Sequence, residues 1–280
     1  MSFPRANIAG VSLSRMVIGT NWIAGFSHTS KSADNIIKKK YEAVDSYTPL
    51  IDAFLKHGID TIMGGYAARP ENAEKLLKAQ DKLGKKLIVI DTPSMNMEDS
   101  NEARAECRKI IKRSKEIGAT FCLLHHSTCE QLVNKQKKAM PRLPDYLDMI
   151  RQEGLIPGLS AHMPEIIQYC DQNEYDVETY IQLFNCMGFL MQIEIESVIK
   201  IIHNAKKPVL TIKPMAAGRV SPYVGLTFNW TVLRPKDFVT VGCFSPEEVD
   251  EDVEISLAAL ERRLPNLEAR SSMSATSIIV

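Results

Sequence analysis

The chain has 280 residues, 45% of them hydrophobic and 24% charged, with 34 basic residues balancing 34 acidic ones at a net charge of zero. Length and balance suit one large globular domain, and neutrality excludes a general attraction to nucleic acid or to an anionic membrane. The expected partner is a small-molecule substrate, no apolar run approaches the roughly 18 residues of a membrane span, and the N-terminus lacks signal-peptide order, so the cytoplasm is the expected compartment.

Taken in chain order, a Gly10-centred turn predicts a short β-hairpin that caps a barrel floor. Eight strand-like segments follow, at 16–20, 59–63, 87–91, 121–125, 157–162, 180–184, 209–213 and 239–243. Helical patterns separate most of them. The polar stretch 27–40, ending in Lys38, Lys39 and Lys40, reads as a solvated helix face. Leu50, Ile51, Phe54 and Leu55 form an apolar stripe that stops at Gly58, a suitable residue beyond a helix end. Pro70 opens the next helix, and Ala103, Cys107, Ile110, Ile111 and Ile117 give a third its buried face. Tyr146, Leu147 and Ile150 mark a fourth, Pro164 starts a fifth, and Ile195, Val198, Ile199 and Ile202 mark a sixth. The stretch 216–237 reads as a long mouth loop with one short helix near 228–233. Ser245-Pro246-Glu247-Glu248 has the cap, proline and acids of a helix start, and the Ser-rich tail 270–280 is expected to be mobile.

Strands alternating with helices predict parallel pairing, and eight such units predict a closed (β/α)8 TIM barrel, one domain over residues 1–280. In that fold the active site lies at the C-terminal mouth, so the ends of the strands carry the chemistry. The six cysteines are scattered without C-x-x-C spacing, which argues against a disulfide framework or a cysteine zinc site.

Six segments, GVSLSRMVIGT (10–20), HGID (57–60), CLLH (122–125), GLSAH (158–162), IKPMAAG (212–218) and VGCFSPEE (241–248), resemble the successive signatures of the aldo-keto reductases in the order that family has them. The resemblance implies a barrel that reduces carbonyls with a nicotinamide cofactor at its mouth. Its catalytic set is an Asp ending strand two, a Tyr in the following loop, a Lys ending strand three and a His ending strand four. His125 matches the His and Tyr66 the Tyr, whereas Met63 stands at the Asp position and Pro93 at the Lys position. A tyrosine hydroxyl of pKa near 10 needs a neighbouring cation to act as a proton donor, so this catalytic set is altered, and Lys213 is the lysine that could replace the missing charge. The same resemblance implies cofactor contacts at Thr20, Ser160, Gln182, Asn185, Gly242 and Ser245, with Ile212 where an aromatic stacks on nicotinamide. Glu248 and Asp252 stand where members have an Arg and an Asn, and two acids there repel an adenosine 2′-phosphate, so NAD is expected over NADP.

Alternation along the strands, taken with the inward Pro93, His125 and Ser160 that the resemblance implies, turns Asp91 and His162 inward too. Asp91, His125 and His162 then form a candidate set for a divalent metal, with His28 or His126 completing it, and only one of the adjacent pair His125 and His126 facing the barrel. A desolvated Lys213 could also form a Schiff base. Trp22 is expected as a pocket wall, Trp230 as packing, and Arg219 as a surface ion pair or a contact to an anionic substrate. Three functions follow: an oxidoreductase of the aldo-keto reductase type on a small carbonyl or alcohol, a metal-dependent lyase, isomerase or hydrolase, and a catalytically inactive binding or regulatory barrel.

Overall fold

The computed structural model describes residues 2–267, so the expected mobile tail at 270–280 lies outside the described residues. Strands β1 (Arg5–Ile8) and β2 (Val11–Ser14) form the predicted hairpin in register Arg5↔Ser14 to Ile8↔Val11. Its two turn residues, Ala9 at φ 50° and Gly10 at φ 82°, both take the left-handed conformation that a tight two-residue hairpin needs.

The barrel strands are β3 (Met16–Gly19), β4 (Thr61–Gly64), β5 (Ile88–Asp91), β6 (Phe121–Leu124), β7 (Ile156–Ala161), β8 (Tyr180–Leu183), β9 (Val209–Ile212) and β10 (Phe238–Val241). Every neighbouring pair is parallel, and β10 closes on β3 with Val239↔Met16. The predicted (β/α)8 barrel with its hairpin is therefore the observed architecture. Helices α1 (Lys31–Lys40), α2 (Thr48–Lys56), α3 (Pro70–Leu83), α4 (Asn101–Glu116), α5 (His126–Cys129), α6 (Leu143–Gln152), α7 (Glu165–Gln172), α8 (Ile195–Asn204), α9 (Pro222–Val232) and α10 (Pro246–Glu261) occur between and after the strands.

Alternation along each strand divides its residues between two cores. Ile8 and Leu13 of the hairpin close the floor against the barrel interior, which is filled by Val17, Met63, Ile90, Phe121, Leu123, Ile181, Leu210 and Phe238. Ile18, Ile62, Val89, Cys122, Leu124, Leu159, Tyr180, Val209, Val239 and Val241 point outward against the helices. The interior is thus a packed apolar plug, and polar chemistry is confined to the rim above it. Ser30, Ser100 and Ser245 accept from the backbone N–H three residues on and so start α1, α4 and α10.

The stretch expected as a mouth loop with a short helix at 228–233 instead contains the 11-residue α9, opened by Ser221 and Pro222. It packs against α10, burying Gly225, Leu226, Asn229 and Trp230. Among the described residues no helix is long and apolar enough to cross a membrane.

Candidate active site

One cavity of about 720 Å³ opens at the C-terminal mouth of the barrel. His125 follows β6 at the inward parity of Phe121 and Leu123, which carries its ring above the plug and into the cavity. Its Nδ1 lies 2.8 Å from the Ser127 hydroxyl and 3.2 Å from that of Ser94, and it also accepts from the Ser127 backbone N–H at 3.4 Å. A backbone N–H can only donate, so Nδ1 is the acceptor and the neutral ring carries its proton on Nε2. Burial lowers the His125 pKa to about 4, with His126 and then Arg69 adding to the effect, so the ring is neutral near pH 7.

His126 and His162 line the same cavity. The chain turns from strand to helix directly after His125, so the adjacent imidazoles do not take opposite faces as expected; their centroids are 4.2 Å apart. The His126 and His162 rings stack at 3.8 Å and 13°. Burial first, then His126, Lys213, His125 and His28, holds the His162 pKa down at about 3. Burial also lowers that of His126, where Glu130 opposes the shift and Lys213 adds to it. Glu130 belongs to the turn that extends α5, and its Oε1 accepts from the backbone N–H of His162 at 2.7 Å and of Met163 at 3.2 Å.

Across the mouth, Tyr66 lines the cavity but is 1% exposed. The neighbouring Thr20 hydroxyl is committed to the Met63 carbonyl at 2.9 Å, and the Tyr66 hydroxyl is left without a hydrogen-bond partner. Burial pushes its pKa well above 10, Tyr47 and Asp91 add to this, and Thr20 opposes it. Thr240, another lining residue, also has an unpartnered buried hydroxyl. A β-carbon at Gly64 would come within 2.4 Å of the Thr20 Oγ1, so only glycine lets these two loops meet.

Lys213 follows β9 at φ 60°, a left-handed conformation uncommon for a residue with a side chain. Its ammonium donates to His28 Nε2 at 2.9 Å, and burial lowers its pKa to about 8. Trp22 stands in the cavity wall as expected, with its ring edge-on to Phe244. Trp230 packs under Arg15 and beside Phe3. Arg219 makes no ion pair among the described residues; it lies over the Phe189 ring at 4.0 Å and donates to the carbonyls of His28 and Ala216.

Several expected site residues face elsewhere. Asp91 does not point into the barrel. Its carboxylate accepts from Tyr66 N at 2.7 Å, from Ala67 N at 3.3 Å and from the Ser114 hydroxyl of α4 at 2.5 Å, all in the layer between strand and helix. In β5 the inward residues are Ile88 and Ile90, and above them Thr92 and Ser94 line the cavity, so Asp91 and Pro93 have the outward parity. The grouping of Asp91 with His125 and His162 is thereby corrected.

Gln182 and Asn185 do not line the cavity either: Gln182 donates to the Leu183 carbonyl with its own Oε1 unpartnered, and Asn185 ties down the loop at Met187 and Phe189. Ser245 caps α10 rather than facing the cavity. Thr20, Met63, Ser160, Ile212 and Gly242 do line it, together with Glu248, Glu251 and Asp252 at the α10 end. The Glu248 carboxylate accepts from Phe244 N at 2.7 Å, and burial raises Asp252 to about 7, with the Cys243 thiol opposing and Glu248 adding. The six cysteines are free thiols. Sequence reasoning passed over Thr92, Ser94, Thr240, Arg69 and Glu130; for Glu130 a signal existed, since His126 and Glu130 are four apart at a strand-to-helix turn.

No protein-family model matches the chain, and no curated protein does. Solved structures do. The chain is similar to a Pseudomonas aeruginosa protein provisionally described as an aldo-keto reductase, at 16% identity and TM-score 0.65, over 92% of this chain and 94% of that one. It is similar to an aldo-keto reductase from Klebsiella pneumoniae in complex with NADPH, at 15% identity and TM-score 0.60, over 98% and 99% of the two chains. It is also similar to the aldose reductase of Giardia lamblia, at 12% identity and TM-score 0.55, over 95% and 90%. At these identities the likeness establishes a shared barrel architecture, and the chemistry must be argued from the site.

Proposed function

We propose that the chain is an oxidoreductase of the aldo-keto reductase type that interconverts a small carbonyl compound and its alcohol with a nicotinamide cofactor, NAD in preference to NADP. The observation that carries this reading is the single mouth cavity, in which His125, the unpartnered hydroxyls of Tyr66 and Thr240, and Ser160 share one polar lining. Buried hydroxyls without partners await a polar ligand, because leaving one unpaired costs about 1–3 kcal/mol. The reading is further supported by the fold shared with a Klebsiella pneumoniae aldo-keto reductase that binds NADPH.

The lining suits a nicotinamide nucleotide at one end. Ser160 and Ile212 would hold its amide-bearing ring, and Gly242 leaves an approach that a β-carbon, 3.0 Å from Trp22 Cδ1, would narrow. Glu248, Glu251 and Asp252 line the α10 end; because Asp252, its pKa raised to about 7, is only partly ionised near neutral pH, the other two carboxylates would do most to repel a further phosphate on the adenosine ribose. When bound, the cofactor supplies or accepts hydride. His125 donates a hydrogen bond from Nε2 to the substrate oxygen and, with its pKa near 4, does not itself supply the proton at neutral pH. Tyr66 holds the transferable proton at its hydroxyl, and Lys213, the buried ammonium of the same cavity, takes the place of the lysine that Pro93 replaces. Burial raises the pKa of the Tyr66 hydroxyl and Lys213 acts on it across the cavity rather than in contact, so turnover is expected to be slow.

The test is oxidation of NADH by a panel of small aldehydes and ketones, comparing the wild type with His125→Ala. Turnover that falls at least about tenfold in the variant at unchanged stability supports the reading. A wild type with neither turnover nor NADH binding overturns it.

A further inference from the structure

We propose that His126, Glu130 and His162 hold one divalent transition-metal ion at the rim of the cavity, with coordination positions left open toward it. One ligand atom from each of these residues can be chosen so that all lie within 4.8 Å of one another. Around a tetrahedral ion at about 2.1 Å the donor atoms stand about 3.4 Å apart, so binding would bring the donors closer and turn at least one of the stacked rings out of its 13° alignment.

Three features of the geometry favour an ion. His126 and His162 stack face to face at 3.8 Å, yet neither ring has a hydrogen-bond partner among the described residues. Two half-buried imidazoles left without partners have ring nitrogens to spare, and the neutral imidazole nitrogen is a common metal donor. Glu130 is held by His162 N and Met163 N through Oε1, which fixes the carboxylate while Oε2 makes no hydrogen bond, the outer support that metal-binding carboxylates generally have. Finally, His126 and Glu130 are four residues apart on one turn, while His162 comes from the adjacent end of β7, so the three donors sit on two backbone supports fixed by the barrel.

Two imidazoles and one carboxylate suit zinc or ferrous iron, and three protein ligands leave room for water or a substrate oxygen. His126, His162 and His125 all line the 720 Å³ cavity, so an ion there would polarise an oxygen in the space that His125 addresses. Lys213 lines the cavity too, with its ammonium 2.9 Å from His28, so it is a positive charge facing the space the ion would occupy. This site rests on its own geometry and stands or falls independently of nicotinamide binding.

The experiment is titration of chelator-treated full-length protein with Co²⁺, read by its visible d–d absorption, followed by displacement with Zn²⁺. One Co²⁺ per chain is expected, without a thiolate charge-transfer band. His126→Ala and His162→Ala should each weaken binding at least about tenfold, and Lys213→Met should tighten it by removing a facing charge. Glu130→Gln keeps an amide oxygen for the His162 and Met163 N–H groups but removes the anionic ligand, so it should weaken binding with the thermal midpoint unchanged. His57→Ala and His203→Ala should leave binding as it is. Substoichiometric uptake, thiolate bands, or binding indifferent to His162→Ala and Glu130→Gln would overturn the proposal.

Discussion

Replacing Asp91 with alanine separates a structural carboxylate from a catalytic or metal-binding one. Its carboxylate accepts from two backbone N–H groups, those of Tyr66 and Ala67, and from the Ser114 hydroxyl, in a layer that excludes water. In Asp91→Ala the Ser114 hydroxyl can fall back on the Ile110 carbonyl at 3.3 Å, but the two N–H groups are left buried without an acceptor. At about 1–3 kcal/mol each, with a small void added and the burial penalty that raises the Asp91 pKa removed, the net loss is about 3 kcal/mol. For a chain of this size that corresponds to about 6–12 °C in melting temperature. The assay is urea unfolding followed by circular dichroism. Asp91→Asn, which keeps one carbonyl acceptor, should lose about half as much. Co²⁺ uptake at the rim should be unchanged in Asp91→Asn. A loss below about 1 kcal/mol in Asp91→Ala, or abolished metal uptake in a stable Asp91→Asn protein, would refute the outward placement.

Asp252, raised to about 7, binds its proton more tightly in the folded chain than in the unfolded one, where its pKa is near about 3.9. Its contribution is full below about pH 4 and is lost as the pH climbs through about 7; Asp252→Asn should remove up to about 4 kcal/mol of that slope in unfolding measurements at pH 4, 6 and 8. Gly158→Ala should destabilise by about 2 kcal/mol or more on urea unfolding, because the added β-carbon would stand 2.8 Å from Leu123 Cγ and 2.8 Å from the Thr179 carbonyl, which is held as the acceptor of the Leu159 N–H. Lys213→Met should lower kcat of NADH-dependent carbonyl reduction by at least about tenfold while leaving the KM for NADH within about twofold; an unchanged kcat would assign the missing cation's role elsewhere.

Much of the barrel was legible because parallel strands buried on both faces read as short apolar runs, and Gly58, Pro70 and Ser245-Pro246 punctuate the helices between them. That same two-sided burial explains the main error. Ile88-Val-Ile-Asp91 is apolar on both faces, so nothing in it reveals which residues face inward, and a parity borrowed from Pro93 turned Asp91 the wrong way. His126 was misjudged because strand alternation ends at His125, where the chain becomes helical and brings the second ring round to the same side. Only the C-terminal part of helix α9 is legible in the sequence, because the helix carries no simple apolar stripe: Tyr223 and Val224 are exposed while the polar Asn229 is buried, donating to the Gly225 carbonyl. Gln182 lies within a strand that is buried throughout, so its side-chain direction could not be read from the alternation of polar and apolar residues.

Calorimetric titration of the wild type and of Gly242→Val with NADH probes the mouth most directly. Gly242 lines the cavity, and its side-chain direction leads to Trp22, 3.0 Å from where a β-carbon would lie. Saturable binding of one NADH per chain, weakened at least about tenfold in a Gly242→Val protein that is still folded, is the expected result. No binding by the wild type, or binding that the valine leaves untouched, would contradict a nicotinamide site in this cavity.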